Sequence, residues 1–366
     1  MRRSIPIALF LLPLAAVASA CLWDVDTLDQ ERSRFPDTLE LIIGRFPRHS
    51  RAYYEWRVKD RQARLAAGES TAAIYDDLGV ALDKLGRHAE AIETMQAKEK
   101  LFPGLYETLA NRGTFHIHHG ELEEGARWIE KAIEVNPDAH FGREVYQLEL
   151  VRFLLKQRGG AAKSEPEASS PEMSVPRGFA VHVLALRPDD DRAAVIREAL
   201  RGVQGMMRFG SYDSPVLLEA LGDLLVADPD PRVDARQLAA RAYLHAGQRV
   251  TSSEEKQRLR QRGDEVLRMH ENLDAAKVSA QLKRELKEAA QWHRQLEQNE
   301  ARWIRDSKVD PDEMYRKTYL RSEETPNSAA APSTAVKPAK RWPTLYAGLF
   351  LGLGVGLVLV LRGLKH

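Results

Sequence analysis

Over most of the chain, apolar residues return every three or four positions, the spacing that places them on one face of a helix. Between residues 72 and 139 the pattern predicts four helices, at about 72–85, 88–101, 106–119 and 122–135. Gly86 stands where the first pair must turn, and Pro103 and Pro137 stand where each second helix must break. Upstream, Leu39 to Arg45 and Tyr53 to Leu65 predict two more helices, entered after Pro36 and Pro47. Downstream, His140 to Gln157 carries a broad apolar stripe that includes Phe141, Val145, Leu148, Val151 and Leu155. The segment 178–250 continues the rhythm: Ala193 to Leu200 runs on toward Met207, Pro215 sits at the first position of another helix, and Asp234 to Ala246 pairs with it. Ser252-x-x-Glu255 is a capping box that opens a strongly charged stretch reaching Arg305. There Leu282, Ala289, Leu296 and Trp303 recur every seventh residue, but His293 and Glu300 interrupt the seam. A long solvated helix or a weak helical pair over 251–322 is therefore expected rather than a stable coiled coil. The fold class is all-α.

Two apolar stretches lie outside this pattern. Arg2 and Arg3, the run Ile5 to Val17 and the small residues Ala18-Ser19-Ala20 have the order of a secretory signal over 1–20, the rival reading being an uncleaved N-terminal anchor. Near the other end, Leu345 to Leu361 carries no charge and is followed by Arg362 and Lys365. At about 1.5 Å per residue it covers roughly 25 Å, short of a hydrocarbon core of about 30 Å but within the tolerated range. Trp342 and Tyr346 take interfacial positions. An exported N-terminus and one such span leave residues 362–366 in the cytoplasm. Gly348, Gly352 and Gly356 share a face of the span at small-xxx-small spacing, which offers self-association, the alternative being the ordinary glycine content of such helices.

Pro, Ser and Ala clusters divide what remains. Residues 159–177 and 323–341 lack helical periodicity and read as a disordered linker and a stalk. The ordered parts are then about 24–158, 178–250 and 251–322. A net charge of +1, with 29% charged residues, gives no reason to expect a nucleic-acid partner. Cys21 is the only cysteine, so an internal disulfide is excluded. Its place directly after the small residues resembles the lipobox of bacterial lipoproteins, although Ala18 stands where that pattern prefers Leu; lipidation and a free thiol both stay open.

The first ordered part repeats itself. Leu78-Gly79 recurs as Arg112-Gly113, Gly86 as Gly120 and Pro103 as Pro137, each offset by 34 residues. With Tyr75, Leu78, Gly79, Leu82, Ala91, Met95 and Pro103 in the first unit (72–105), and Leu109, Gly113, Ile129, Ala132 and Pro137 in the second (106–139), the chain resembles the tetratricopeptide repeat family. Arg112, His116 and Gly125 depart from the Leu, Tyr and Ala that the family prefers. The resemblance implies an α-solenoid of helical hairpins flanked by capping helices, and a concave surface, lined by the first helix of each unit, that binds a protein or peptide. Carried over by repeat position, that surface is expected to present Asp76, Val80, Asp83, Lys84, Asn111, Thr114, Ile117 and His118.

Few patterns suggest chemistry. His116, His118 and His119 are the sharpest candidates for a metal or enzyme site, yet no carboxylate follows at the spacing of a helical zinc motif. Gly352-Leu353-Gly354-Val355-Gly356 has neither the preceding strand nor the Lys-Ser/Thr of a phosphate loop. A Gly-x-Ser-x-Gly elbow is missing as well. The expectation is a non-catalytic scaffold of the bacterial cell envelope, without cofactor or metal, on the extracytoplasmic face of the inner membrane. Two rivals stand beside it: an enzyme or metal protein with a site in 178–250 or at the histidines, and a structural spacer.

Overall fold

The computed structural model describes residues 22–24, 35–137, 139–159, 177–228, 233–268 and 274–320. All belong to one unit, Met1–Ser322; the second unit, Glu323–His366, lies outside the described residues. So do the expected signal sequence, Cys21, the interior of the 159–177 linker, the stalk, the 345–361 span with its three glycines, and the tail. Among the described residues there are fourteen α-helices and no strand, and no helix is long and apolar enough to cross a membrane.

The helices are α1 Thr38–Ile43, α2 Arg51–Ala66, α3 Ala72–Lys84, α4 His88–Leu101, α5 Tyr106–His118, α6 Leu122–Val135, α7 Arg143–Gly159, α8 Gly178–Leu186, α9 Arg192–Phe209, α10 Pro215–Ala227, α11 Val233–Arg249, α12 Ser253–Arg268, α13 Ala275–Arg305 and α14 Pro311–Tyr315. Starts follow local chemistry. Asp37 and Glu40 close a capping box on α1, while Ser50 and Thr71 accept the Tyr53 and Ile74 backbone N–H groups at the starts of α2 and α3.

Helices α3 and α4, and again α5 and α6, pack as hairpins with one turn used twice. Gly86 (φ 80°) donates its N–H to the Asp83 carbonyl at 2.9 Å and Arg87 to Leu82 at 2.9 Å. Gly120 (φ 92°) and Glu121 repeat these bonds to Ile117 and His116 at 3.0 and 2.9 Å. The small positions also match: a Cβ on Gly79 would stand 2.8 Å from Met95 Cε, and one on Gly113 2.6 Å from Ile129 Cδ1. The repeat in the sequence is thus a repeat of hairpin geometry.

Beyond the hairpins the three expected ordered parts share a core. One core draws Leu41 and Ile42 from α1, Ile117 and Ile129 from α5 and α6, Leu148 and Val151 from α7, Met206 from α9, Leu221 from α10, Tyr243 from α11, and Leu282 and Ala289 from α13. Helix α2 caps the hairpins through α3, as an N-terminal cap should, but α1 packs on α9, α11 and α13. The segment 251–322, expected as a long solvated helix or a weak helical pair, is not the first of these. It forms two helices, α12 and α13, and the seven-residue seam of α13 (Leu282, Ala289, Leu296) is buried. Glu300, read as a polar interruption, is fully buried, where it takes His49 Nδ1 at 2.7 Å and the Ser50 N–H at 2.8 Å. Helices pack in sequence from α2 to α7 and from α9 to α12; α7 packs on α9, and α13 returns to α2, so the array closes on itself.

Candidate functional site

Closure changes the fate of the expected concave surface. An open arc of two hairpins would expose the inner faces of α3 and α5. Here the end of α9 and the α9–α10 connection lie against α3: Lys84 donates to the carbonyls of Phe209 (3.2 Å) and Gly210. Between them remains a cavity of about 170 Å³, lined by Val80 and Lys84 on one side and by Arg208 to Asp213 on the other.

A second piece of the chain enters this space. Residues Leu22 to Asp24 have no regular structure and cross the inner face of the hairpins. Leu22 is buried in the apolar cluster of Val58, Leu78, Val80 and Leu82. Asn111 grips the next residue by its main chain, accepting the Trp23 N–H on Oδ1 at 2.8 Å and donating Nδ2 to the Trp23 carbonyl at 2.9 Å. Arg57 on α2 holds the Asp24 carboxylate at 3.0 Å. This pairing of a side-chain amide with one residue's N–H and C=O is how an extended strand is recognised without regard to its side chain.

The amide is oriented from behind. Asn111 Nδ2 also donates to Asp76 Oδ1 at 3.1 Å, and Lys98 Nζ lies 2.7 Å from both Asp76 oxygens. Because Asp76 paired with Lys98 is an acceptor, it takes the NH₂ side of Asn111 and leaves Oδ1 for Trp23. Burial pushes the Asp76 carboxyl up to about 7, against the lowering pull of Lys98 and of the Asn111 hydrogen bond. All three side chains are buried, Lys98 and Asn111 completely.

The eight residues expected on the concave surface therefore separate in their surroundings. Asp76 and Asn111 form the grip, Val80 packs with Leu22, and Lys84 lines the cavity. Thr114 is turned to the capping helix α7, accepting Gln147 Nε2 at 3.1 Å. Ile117 is core, against Gly125 of α6. Asp83 and His118 bond each other at 2.7 Å. The rival histidine cluster also separates: His116 Nδ1 takes Glu121 at 2.6 Å, His119 lies 3.9 Å from the same carboxylate, and His118 turns to Asp83.

Among the described residues of 178–250, the other place held open for an active site, the one deeply buried carboxylate is Asp223. It accepts from Tyr243 Oη (2.7 Å), the Phe179 N–H (3.0 Å) and Arg262 (3.2 Å), binding α8, α10, α11 and α12 together. Burial, with Glu219 nearby, raises it to about 7. Its oxygens are occupied by structural donors.

Sequence reasoning missed Arg57, Lys98 and His88, which lie outside the inner positions of α3 and α5 and reach the site through contacts that no repeat pattern encodes. No family model matches the chain, and no curated protein matches it.

Proposed function

We propose that this protein is a non-catalytic scaffold whose tetratricopeptide-type hairpins bind an extended peptide segment, and that it works on the extracytoplasmic face of the bacterial inner membrane, tied there by the 345–361 span. One observation supports the binding role above others: Asn111 holds both the N–H and the C=O of Trp23 while Leu22 is buried beside it. A groove that holds its own chain in this way displays the features it would require of a partner. They are an extended backbone, an apolar side chain for the Leu22 position, and a carboxylate two residues later to meet Arg57. In this reading residues 22–24 occupy the groove at rest and a partner segment of the same pattern displaces them. The packed seam of α13 speaks against a mere spacer.

The test uses a labelled peptide of the chain's own sequence Leu22 to Gln30. Leu22→Asp, which cannot enter the apolar cluster, should free the groove, so this variant binds the peptide more tightly than the parent does, by fluorescence anisotropy. Adding Asn111→Ala should abolish that gain. Equal anisotropy for all three proteins counts against the groove. The membrane assignment is separable: protease added at the outer face of the inner membrane should reach the stalk at 323–341, and protection until the membrane is permeabilised counts against it.

A further inference from the structure

Asp83, in the last turn of α3, carries one imidazole on each oxygen. Its Oδ1 lies 2.7 Å from Nδ1 of His88 at the start of α4, and its Oδ2 lies 2.7 Å from Nδ1 of His118 at the end of α5. One candidate ligand atom from each residue lies within 4.8 Å of the other two. The turn at Gly86 folds His88 back over Asp83, and the stacking of the second hairpin on the first brings His118 to the other side. Three helix ends from two successive hairpins thus converge on one point.

We infer that Asp83, His88 and His118 form a binding site for a divalent transition cation of the zinc class. Two imidazoles and a carboxylate are a donor set that suits zinc, cobalt or nickel and serves calcium or magnesium poorly, since those ions take oxygen ligands. Ligand bonds of about 2.0–2.2 Å in a tetrahedron put neighbouring ligand atoms roughly 3.4 Å apart. The two 2.7 Å separations therefore have to open by about 0.7 Å. Small rotations of the imidazoles supply that, and His88 has room for them, its side chain being 26% exposed. The same exposure gives a cation its path in, and it leaves a fourth position toward solvent. His119 lies nearby, its ring centre 6.4 Å from that of His88, but its Nε2 faces Glu121 at 3.9 Å. Lys84, the nearest cation in sequence, points its ammonium away to the carbonyls of Phe209 and Gly210.

The competing account is a buried carboxylate satisfied by two imidazole N–H donors. It requires the same resting geometry but no affinity for metal. The two are separated by titrating the untagged full chain, stripped with chelator, with Co²⁺. One equivalent should bind with the intense visible absorption of tetrahedral cobalt and be displaced by Zn²⁺, and Zn²⁺ should raise the melting midpoint. His88→Gln keeps an N–H donor for Asp83 at a part-exposed position, so the fold is retained and the ligand lost. Altering a residue behind a metal ligand typically costs about 10–100-fold in affinity, so losing the ligand itself should cost at least that. His118→Gln should do the same, and His116→Gln, on the Glu121 side, should change nothing. No stoichiometric cobalt uptake by the parent, or equal uptake by the parent and both ligand variants, overturns the site and leaves a hydrogen-bonded carboxylate.

Discussion

Several of the charged residues that matter most here are ones that the folded chain hides. Lys98 is fully buried against Asp76, and removing one member of such a pair strands the other charge away from water. Lys98→Met should therefore cost about 3–5 kcal/mol in chemical denaturation, far more than a surface lysine would. Asp76, Asp83 and Asn111, expected on the concave surface, are buried as well, so changing all three to Ala should lower the melting midpoint markedly. Asp312 supplies a pH test. It accepts from Tyr53 and from both Arg57 and Arg61. Burial alone would raise its carboxyl, but the two guanidinium charges hold it well below the ordinary value of 3.8. Because the folded-state value lies below the unfolded one, the ionised group stabilises the fold above about pH 4, and that contribution is lost as pH falls toward the folded value. Urea titrations from pH 6 to pH 3 should show the parent losing stability on acidification and Asp312→Asn, weaker throughout, losing less.

At the scale of elements, the two hairpins share a turn but not the same tolerance. A Cβ on Gly79 would meet mainly the flexible end of Met95, at 2.8 Å, and then the ring of Phe115 at 3.1 Å. On Gly113 it would meet the Ile129 side chain at 2.6 Å and its backbone nitrogen at 3.0 Å. Gly125, one of the departures from the family pattern, lies still closer: a Cβ there would be 2.5 Å from Ile117 and 2.9 Å from the Gly113 carbonyl. Backbone cannot move aside as a methionine methyl can. Gly113→Ala and Gly125→Ala should each cost about 1–3 kcal/mol, and Gly79→Ala should cost less than either. Thermal melts followed by circular dichroism will rank them. A second hairpin that tolerates Ala at 113 and 125 as well as the first does at 79 would contradict the close crossing of α5 and α6.

For the whole molecule the decisive feature is that the C-terminal helices return to the N-terminal ones. α13 packs on α2, Glu300 holds His49 and the start of α2, and Asp312 on α14 lies between Arg57 and Arg61. A chain ending at Arg305 would retain the long helix but leave those two arginines buried without Asp312. It should melt earlier than the parent and be cut faster by protease within α2. A chain that loses only a spacer would melt as before.

The helices themselves were legible from residue order. The four hairpin helices fall within a residue or so of their expected limits, because turn glycines, break-making prolines and the 34-residue offset are local signals that act over one or two turns. Gly79 and Ala91 as small packing positions follow from the same pattern. What the pattern left open was which surface the array would cover. The inner faces of α3 and α5 read as exposed because repeat position alone implies an open arc, and only packing covers them, with Phe209 and Gly210 against α3 and Trp23 against Asn111 of α5. Glu300 reads as a polar interruption of the seam and Asp312 stands in no pattern, since a carboxylate is buried or exposed according to whether a partner waits for it, and their partners His49, Arg57 and Arg61 lie about 250 residues away. The meeting of Asp83, His88 and His118, and the grip of Asn111 on Trp23, were beyond sequence for the same reason. Helix formation depends on neighbours in sequence, whereas a site depends on neighbours in space, and only packing decides those.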